Sequence, residues 1–434
     1  MQSTPLAPPP KAPHAGGPTD PSHDELLRRG IIATDIHRTV AWALTALFCA
    51  CIAGLPLAQA FLEHRAEEES PLLDLFRRKP TAENLHQFEK DVEEASYAKS
   101  FTQPRLQELL TRFGRVGNKR ALVGREGWLY YLPGVLHVGG PGFLDSTVQR
   151  SREKMNLDAG DAAIVADPLP AIFAFQAALT KRGIRLVLLP LPDKSALVSA
   201  PLRARAGASQ PAQNPDFPEF LLRMRKHGVA VVDARDVAAA QHEAPFLRQD
   251  THWAPPFMES TARSLAGFIS GLHVLSPSAA PATLHAVEQP IARVGDIVDM
   301  LKLTDGQTLF QAQSVLIHQV CDAEGNPWEP DADAEVLLLG DSFSNIFSLE
   351  GMGWGAAAGL GPQLSIALGR PVDVIAQNDS GAFATRESLA RELAAGEDRL
   401  KGKRVVIWEF ASRELSVGDW KTVAWNAPTQ PEAN

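Results

Sequence analysis

Cysteine is almost missing from this chain. Three occur in 434 residues, and two of them, Cys49 and Cys51, fall inside one apolar run. Cys321 stands alone in the remainder, which excludes a disulfide-built scaffold and leaves an oxidising compartment tolerable. A basic excess is missing too. The formal net charge is −9, so duplex nucleic acid, whose phosphates need a basic face, is not an expected partner. Clusters of His, Cys and Asp at metal-ligand spacing are also lacking, and neither a metal nor another cofactor is expected. No internal repeat is visible. What is present is ordinary: 45% apolar and 21% charged residues exclude a mainly disordered, collagenous or multi-span membrane chain. Thirty-three prolines and 32 glycines imply many loops, and the length suits two or three domains or one large one.

Charge itself vanishes between Thr39 and Leu62. The run Val40–Leu62, at ~1.5 Å per residue, reaches across a ~30 Å hydrocarbon core. It reads as a membrane segment rather than a buried core helix, because it follows a tail unable to order itself. Residues 1–22 hold seven prolines among Gly, Ser and Thr. Arg28, Arg29 and Arg38 flank the run on one side, and Glu63, Glu67, Glu68 and Glu69 on the other. The positive-inside rule then leaves the tail in the cytoplasm and the body outside. Ala58-Gln59-Ala60 resembles a small-residue cleavage site, so a removed signal peptide is the rival. The long polar lead and full-length apolar run favour an uncleaved single-pass anchor.

The expected organisation is a disordered cytoplasmic tail (1–38), a transmembrane anchor (39–62), a helical lead-in (63–120), a main domain (121–420) and a C-terminal tail (421–434). Residues 63–434 carry 38 Lys and Arg against 47 Asp and Glu, the whole net charge. Between 81 and 113, apolar residues at helical spacing predict two helices. Five apolar runs follow: Ile184–Leu189, Val229–Val232, Val336–Leu339, Val372–Ile375 and Val405–Phe410. Continuous runs are the pattern of parallel strands buried on both faces. Stretches of helical periodicity, Leu169–Arg182, Phe217–His227, Met258–Leu272 and Arg386–Leu400, alternate with them. The expected fold is therefore α/β, a three-layer α/β/α sandwich with a mainly parallel sheet. Residues 273–335 have no place in the alternation and read as an insertion.

Parallel sheets carry their chemistry at the carboxyl ends of the strands. Gly340-Asp341-Ser342-Phe343-Ser344 leaves the third run. A serine there presents its hydroxyl at a helix N-terminus, where backbone N–H groups stabilise an oxyanion; the bland alternative is a turn capped by Asp341 or Ser342. In Asp250-Thr251-His252-Trp253, an extended segment would put Asp250 and His252 on one side, as an oriented base requires. The alternatives are a loop pair bonding the backbone or half a metal site. Gln377-Asn378-Asp379-Ser380-Gly381 follows the fourth run, where Asn378 and Gly381 would add oxyanion donors or merely form a loop.

Together these blocks resemble the alginate O-acetyltransferase family of the AlgJ/AlgX type. Its SGNH-hydrolase-like domain places the Asp–His block before the serine block, a permuted order. Gly124-Arg125-Glu126-Gly127-Trp128-Leu129-Tyr130, Leu191-Pro192-Asp193-Lys194, Arg293-Val294-Gly295-Asp296-Ile297 and Val405–Phe410 with Glu409 and Arg413 resemble further family blocks. The resemblance covers about residues 80–415. It implies that Ser342 is the nucleophile, His252 the base and Asp250 its orienting partner, with Asn378 and Gly381 at the oxyanion loop. Trp253 would stack on a sugar or pack internally, and Lys194, Glu409 and Arg413 would hold the sheet edge or the substrate rim.

The activity so implied is O-acetyl transfer through a serine ester onto hydroxyls of an exported polysaccharide, with the body in the periplasm of an inner-membrane protein. A multi-span membrane acyltransferase would supply the acetyl group. A carbohydrate acetylesterase using the same residues is one alternative, and a non-catalytic polysaccharide-binding subunit of an export complex is another.

Overall fold

In the computed structural model, which describes residues 37–202, 212–277, 283–378 and 381–425, each of the five apolar runs contributes a strand. The expected tails fall largely outside the described residues. Contacts divide the chain into two units, 1–100 and 101–434.

In the first unit, Arg38–Ala66 forms one helix of 29 residues, long and apolar enough to cross a membrane and with none of its most apolar stretch buried. Trp42, Leu47, Phe48, Ile52 and Phe61 all face outward. A π-helical turn at Ala50–Gly54 ends two residues before Pro56. Proline lacks the N–H that would close the preceding turn, and the wider turn absorbs that defect. Helix Ala82–Ala95 follows, opened by the Thr81 side chain accepting from Asn84 N–H, and Tyr97–Gly114 leads into the second unit.

The second unit opens with a short antiparallel pair, β1 (Ala121–Val123) and β2 (Leu129–Tyr131). Then come β3 (Arg185–Leu191) and β4 (Ala230–Val231). An antiparallel hairpin, β5 (His285–Arg293) and β6 (Gln313–Cys321), occupies the expected insertion. The chain closes with β7 (Val336–Gly340), β8 (Asp373–Ala376) and β9 (Val405–Ala411). The main sheet is wholly parallel in the order β4-β3-β9-β7-β8.

Strand residues alternate between two apolar layers, as a two-residue period dictates. Val187, Leu189, Leu338 and Ile407 pack in one core with helix Pro255–Gly271 and helix Leu360–Leu368. Leu186, Leu188, Leu337, Leu339, Val406 and Trp408 face the other way, against Pro168–Lys181, Phe217–Lys226 and Gly381–Ala394. This is the three-layer sandwich. Because β9 inserts between β3 and β7, the exits of these three strands lie side by side, delivering Asp193 and Lys194, Asp341 and Ser342, and Ser412 and Arg413 to one end of the sheet.

Candidate active site

Gly340 ends β7 with an ordinary backbone, so the glycine is not required for its conformation. It is required for room, since a side chain there would collide with Ser344. Asp341 turns the chain into the short helix Ser342–Asn345: its Oδ1 accepts from Phe343 N–H (2.8 Å) and its Oδ2 from Ala411 N–H at the end of β9 (3.0 Å). Asp341 is the cap, and Ser342, the first helical residue, is half-buried. The N–H of Ser342 has no intramolecular acceptor among the described residues, the usual condition of a first-turn donor.

His252 comes from the other side. Its segment is not extended as the sequence pattern suggested. Residues 246–253 form a tight turn closed by a bridge between Phe246 and Trp253 and by Leu247 N–H donating to His252 O (3.1 Å). The turn brings Asp250 and His252 together, with His252 N–H donating to Asp250 Oδ1 (3.1 Å). The same oxygen lies 2.6 Å from His252 Nδ1. A carboxylate only accepts, so Nδ1 carries the proton and Nε2 is left to accept from Ser342 Oγ, 2.8 Å away. Pro255 and Pro256 begin the following helix at positions where no N–H is needed.

Asp250 Oδ2 is satisfied separately, by Asp296 N–H (3.0 Å) and the Trp354 indole N–H (3.0 Å). Burial alone would push Asp250 upward; the His252 hydrogen bond and charge, with backbone donors, instead hold it well below the usual carboxylate range. For His252, burial works downward, and the bond and charge of Asp250 outweigh it, raising the imidazole above its ordinary value. Lys194 is buried, with Nζ donating to Leu129 O (2.8 Å) and Arg248 O (3.3 Å). Burial brings it down to about 7 against the pull of Asp250 and Asp296.

Asp250, His252 and Asp296 offer donor atoms within 4.8 Å of one another. The 2.6 Å Nδ1–Asp250 contact holds a proton, however, so that nitrogen has no lone pair to offer a metal.

The remaining expected residues divide. Trp253 is fully buried, and its indole donates to Phe343 O (3.0 Å), so it supports the serine's helix and cannot stack on a sugar. Arg413 packs over Tyr131 and Phe343 and pairs with buried Asp193 at 3.2 Å. Asn378 is exposed and accepts from Asn345 Nδ2, one turn beyond Ser342 (2.8 Å). Gly381 opens helix Gly381–Ala394 at φ +55°, where any side chain would run into the Glu414 carboxylate, while Asp379 and Ser380 lie outside the described residues. Sequence reasoning missed Trp354 and the placement of Asp296. The signals were there: a tryptophan between two glycines at positive φ, Gly353 and Gly355, and a Gly-Asp pair inside the insertion.

Comparison with known proteins gives a consistent result. The family model for the SGNH hydrolase-like domain of the acetyltransferase AlgX matches residues 121–412. The probable alginate O-acetylase AlgJ of Pseudomonas aeruginosa is 25% identical over 309 residues, 69% of this chain and 71% of that protein. Its counterpart from Pseudomonas syringae is 26% identical over 308 residues, 69% and 70% of the two chains. The solved O-acetyltransferase domain of Pseudomonas putida AlgJ superposes with a TM-score of 0.50 at 21% identity, covering 69% of this chain and 93% of that one, a likeness of fold.

Proposed function

This chain belongs to the family of AlgX-type SGNH hydrolase-like acetyltransferase domains, and from that premise we propose that it transfers acetyl groups onto hydroxyls of an exported polysaccharide, alginate or one like it, through an ester on Ser342. One observation carries the residue assignment: the continuous relay Ser342 Oγ–His252 Nε2, His252 Nδ1–Asp250 Oδ1, at 2.8 and 2.6 Å.

In the first half-reaction His252 Nε2 takes the Ser342 proton as Oγ attacks the acetyl carbonyl of the donor. The oxyanion faces the free Ser342 N–H, with Asn378 at the adjacent loop. His252 returns the proton to the leaving group, and acetyl-Ser342 remains. In the second half-reaction a sugar hydroxyl gives its proton to His252 and attacks the ester carbonyl; the acyl bond to Ser342 Oγ breaks, and His252 returns the proton to that oxygen. Asp250 fixes the tautomer and stabilises the imidazolium in both. The apolar helix Arg38–Ala66 anchors the chain with its N-terminus in the cytoplasm and its catalytic body in the periplasm, where a multi-span membrane acyltransferase supplies the acetyl group.

The test uses the detergent-solubilised full chain, a chromogenic acetyl ester as donor and polysaccharide oligomers as acceptors, read by mass spectrometry. Acetyl gain on the oligomer that disappears in Ser342→Ala is the expected result. Acetate released with no gain on any oligomer makes the protein an esterase. Well-folded wild type that binds oligomers without turnover overturns the enzymatic reading.

A further inference from the structure

Asp296 sits in the segment that the strand–helix alternation leaves out, yet it reaches the centre of the site. Its backbone N–H donates to Asp250 Oδ2 (3.0 Å), and its own Oδ1 accepts from Thr251 N–H (2.6 Å). Its Oδ2 lies 3.8 Å from His252 Nδ1. The approach is possible only because the preceding residue is Gly295: any side chain there would overlap the backbone of Gln249 and Asp250. Ile297 N–H donating to Gln249 O (3.2 Å) completes a clasp in which residues 295–297 grip residues 249–251. We propose that Asp296 is a positioning residue of the relay, clamping the Asp250–His252 turn through Thr251 and holding a second negative charge beside His252 Nδ1. The inference rests on the assignment of His252 as the base.

An ordinary loop aspartate would face water. Asp296 instead has its side chain largely covered, against a histidine whose other nitrogen faces the nucleophile. Its charge has one clear electrostatic effect, which is to favour the imidazolium formed when His252 takes a proton. The other charged groups near His252 are Asp250 on the same turn and Asp341 at the β7 exit; Lys194 beyond β3 faces the two carboxylates, and Arg293 lies three residues before Asp296 on its own segment. Burial, then the charge of Asp250, push Asp296 up to about 6, while His252 pulls it down. The attraction is mutual: the charge of Asp296 is among the causes that hold His252 above its ordinary value.

The experiment follows kcat/KM for the chromogenic ester against pH in the full chain, for wild type, Asp296→Asn and Asp296→Glu. Asparagine keeps an oxygen for Thr251 N–H but removes the charge. Activity needs neutral His252, so the acidic limb is expected to move down by about one pH unit in Asp296→Asn. The plateau should fall roughly tenfold, the scale on which an outer partner of an oriented histidine acts. Asp296→Glu keeps the charge, and its limb should stay near that of wild type. Asp296→Ser, smaller and uncharged, repeats the asparagine test should that variant not accumulate. A limb that stays put or moves upward in the neutral variants, with the plateau unchanged, overturns the inference. Wild-type turnover that survives Ser342→Ala would instead sink the relay itself, so the two failures are distinguishable.

Discussion

Two pairs of acids flank the serine, and one fully buried member of each, Asp250 on the histidine side and Glu409 on the serine side, is held in the opposite way. On the histidine side, Asp250 and Asp296 share their surroundings with two bases, His252 and Lys194, and Asp250 receives four N–H donors. There Asp250 stays ionised. On the serine side, Asp341 and Glu409 lie beneath the β7 exit, where Glu409 Oε2 accepts from Asp341 N–H (3.0 Å) and Ser344 Oγ–H (2.7 Å). Its Oε1 is buried without a partner. Burial first, then the Asp341 charge, raise Glu409 well above the usual carboxylate range, and the two donors do not reverse this. One carboxyl is thus held as a charge beside His252, while the other, its proton bound more tightly than usual, props the turn at the β7 exit. The difference lies in donors and cations, not in depth of burial.

The sharpest way to break this comparison is to neutralise the ionised member. Asp250→Asn keeps the size of the side chain but no longer requires the proton on Nδ1, so Nε2 is free to carry it and no longer accepts from Ser342 Oγ–H, as the proposed mechanism requires. The expected loss in turnover of the acetyl ester is about 10⁴-fold. A loss under tenfold, in protein that melts like wild type, would mean that Asp250 does not govern the tautomer.

A smaller effect belongs to Trp354. Its indole is fully buried, and the N–H satisfies the Asp250 oxygen that His252 does not use. Trp354→Phe leaves most of the packing and removes the donor, so thermal unfolding should report a loss of about 1–3 kcal/mol for a hydrogen bond to a charged group. Turnover should drop with it, by about tenfold, through a less firmly held carboxylate. Equal stability and rate in the two proteins would show that solvent replaces the indole.

How much of this was legible beforehand follows from the range of each interaction. The five strands were readable because burial on both faces demands unbroken apolar runs, and Val405–Ala411 and Val336–Gly340 have no other use. The residues of the relay were readable because Ser342, and the Asp250–His252 pair, each occupy one short block. What was hidden depends on contacts between distant segments. Asp296 meets Asp250 across 46 residues, through a clasp that only Gly295 permits, and Trp354 meets it across 104. Trp253 misled for a related reason: a tryptophan beside a catalytic-looking histidine reads equally as a sugar platform or a core residue until Phe343 O is found at its indole.

Least disruptive to catalysis, and most telling for the comparison, is Glu409→Gln. If Glu409 is a neutral strut, glutamine replaces it almost unchanged: its oxygen accepts from Asp341 N–H and Ser344 Oγ–H, and its amide takes the place of the carboxyl beside Asp341. Activity should stay within about twofold of wild type, since no charge involved in proton transfer has moved. Stability should respond to pH with a definite sign. The unfolded chain loses the Glu409 proton near pH 4.3, whereas the folded protein keeps it to a much higher pH. Above the unfolded value the native state therefore binds more protons, and wild type loses stability as pH rises, by about 1.4 kcal/mol per unit until the folded group itself ionises. Glutamine does not titrate. Melting temperatures of the two proteins should coincide near pH 4 and diverge in favour of Glu409→Gln toward pH 8. The opposite order at pH 8 would mean that Glu409 is ionised in the fold, and that the serine side holds its acids as the histidine side does.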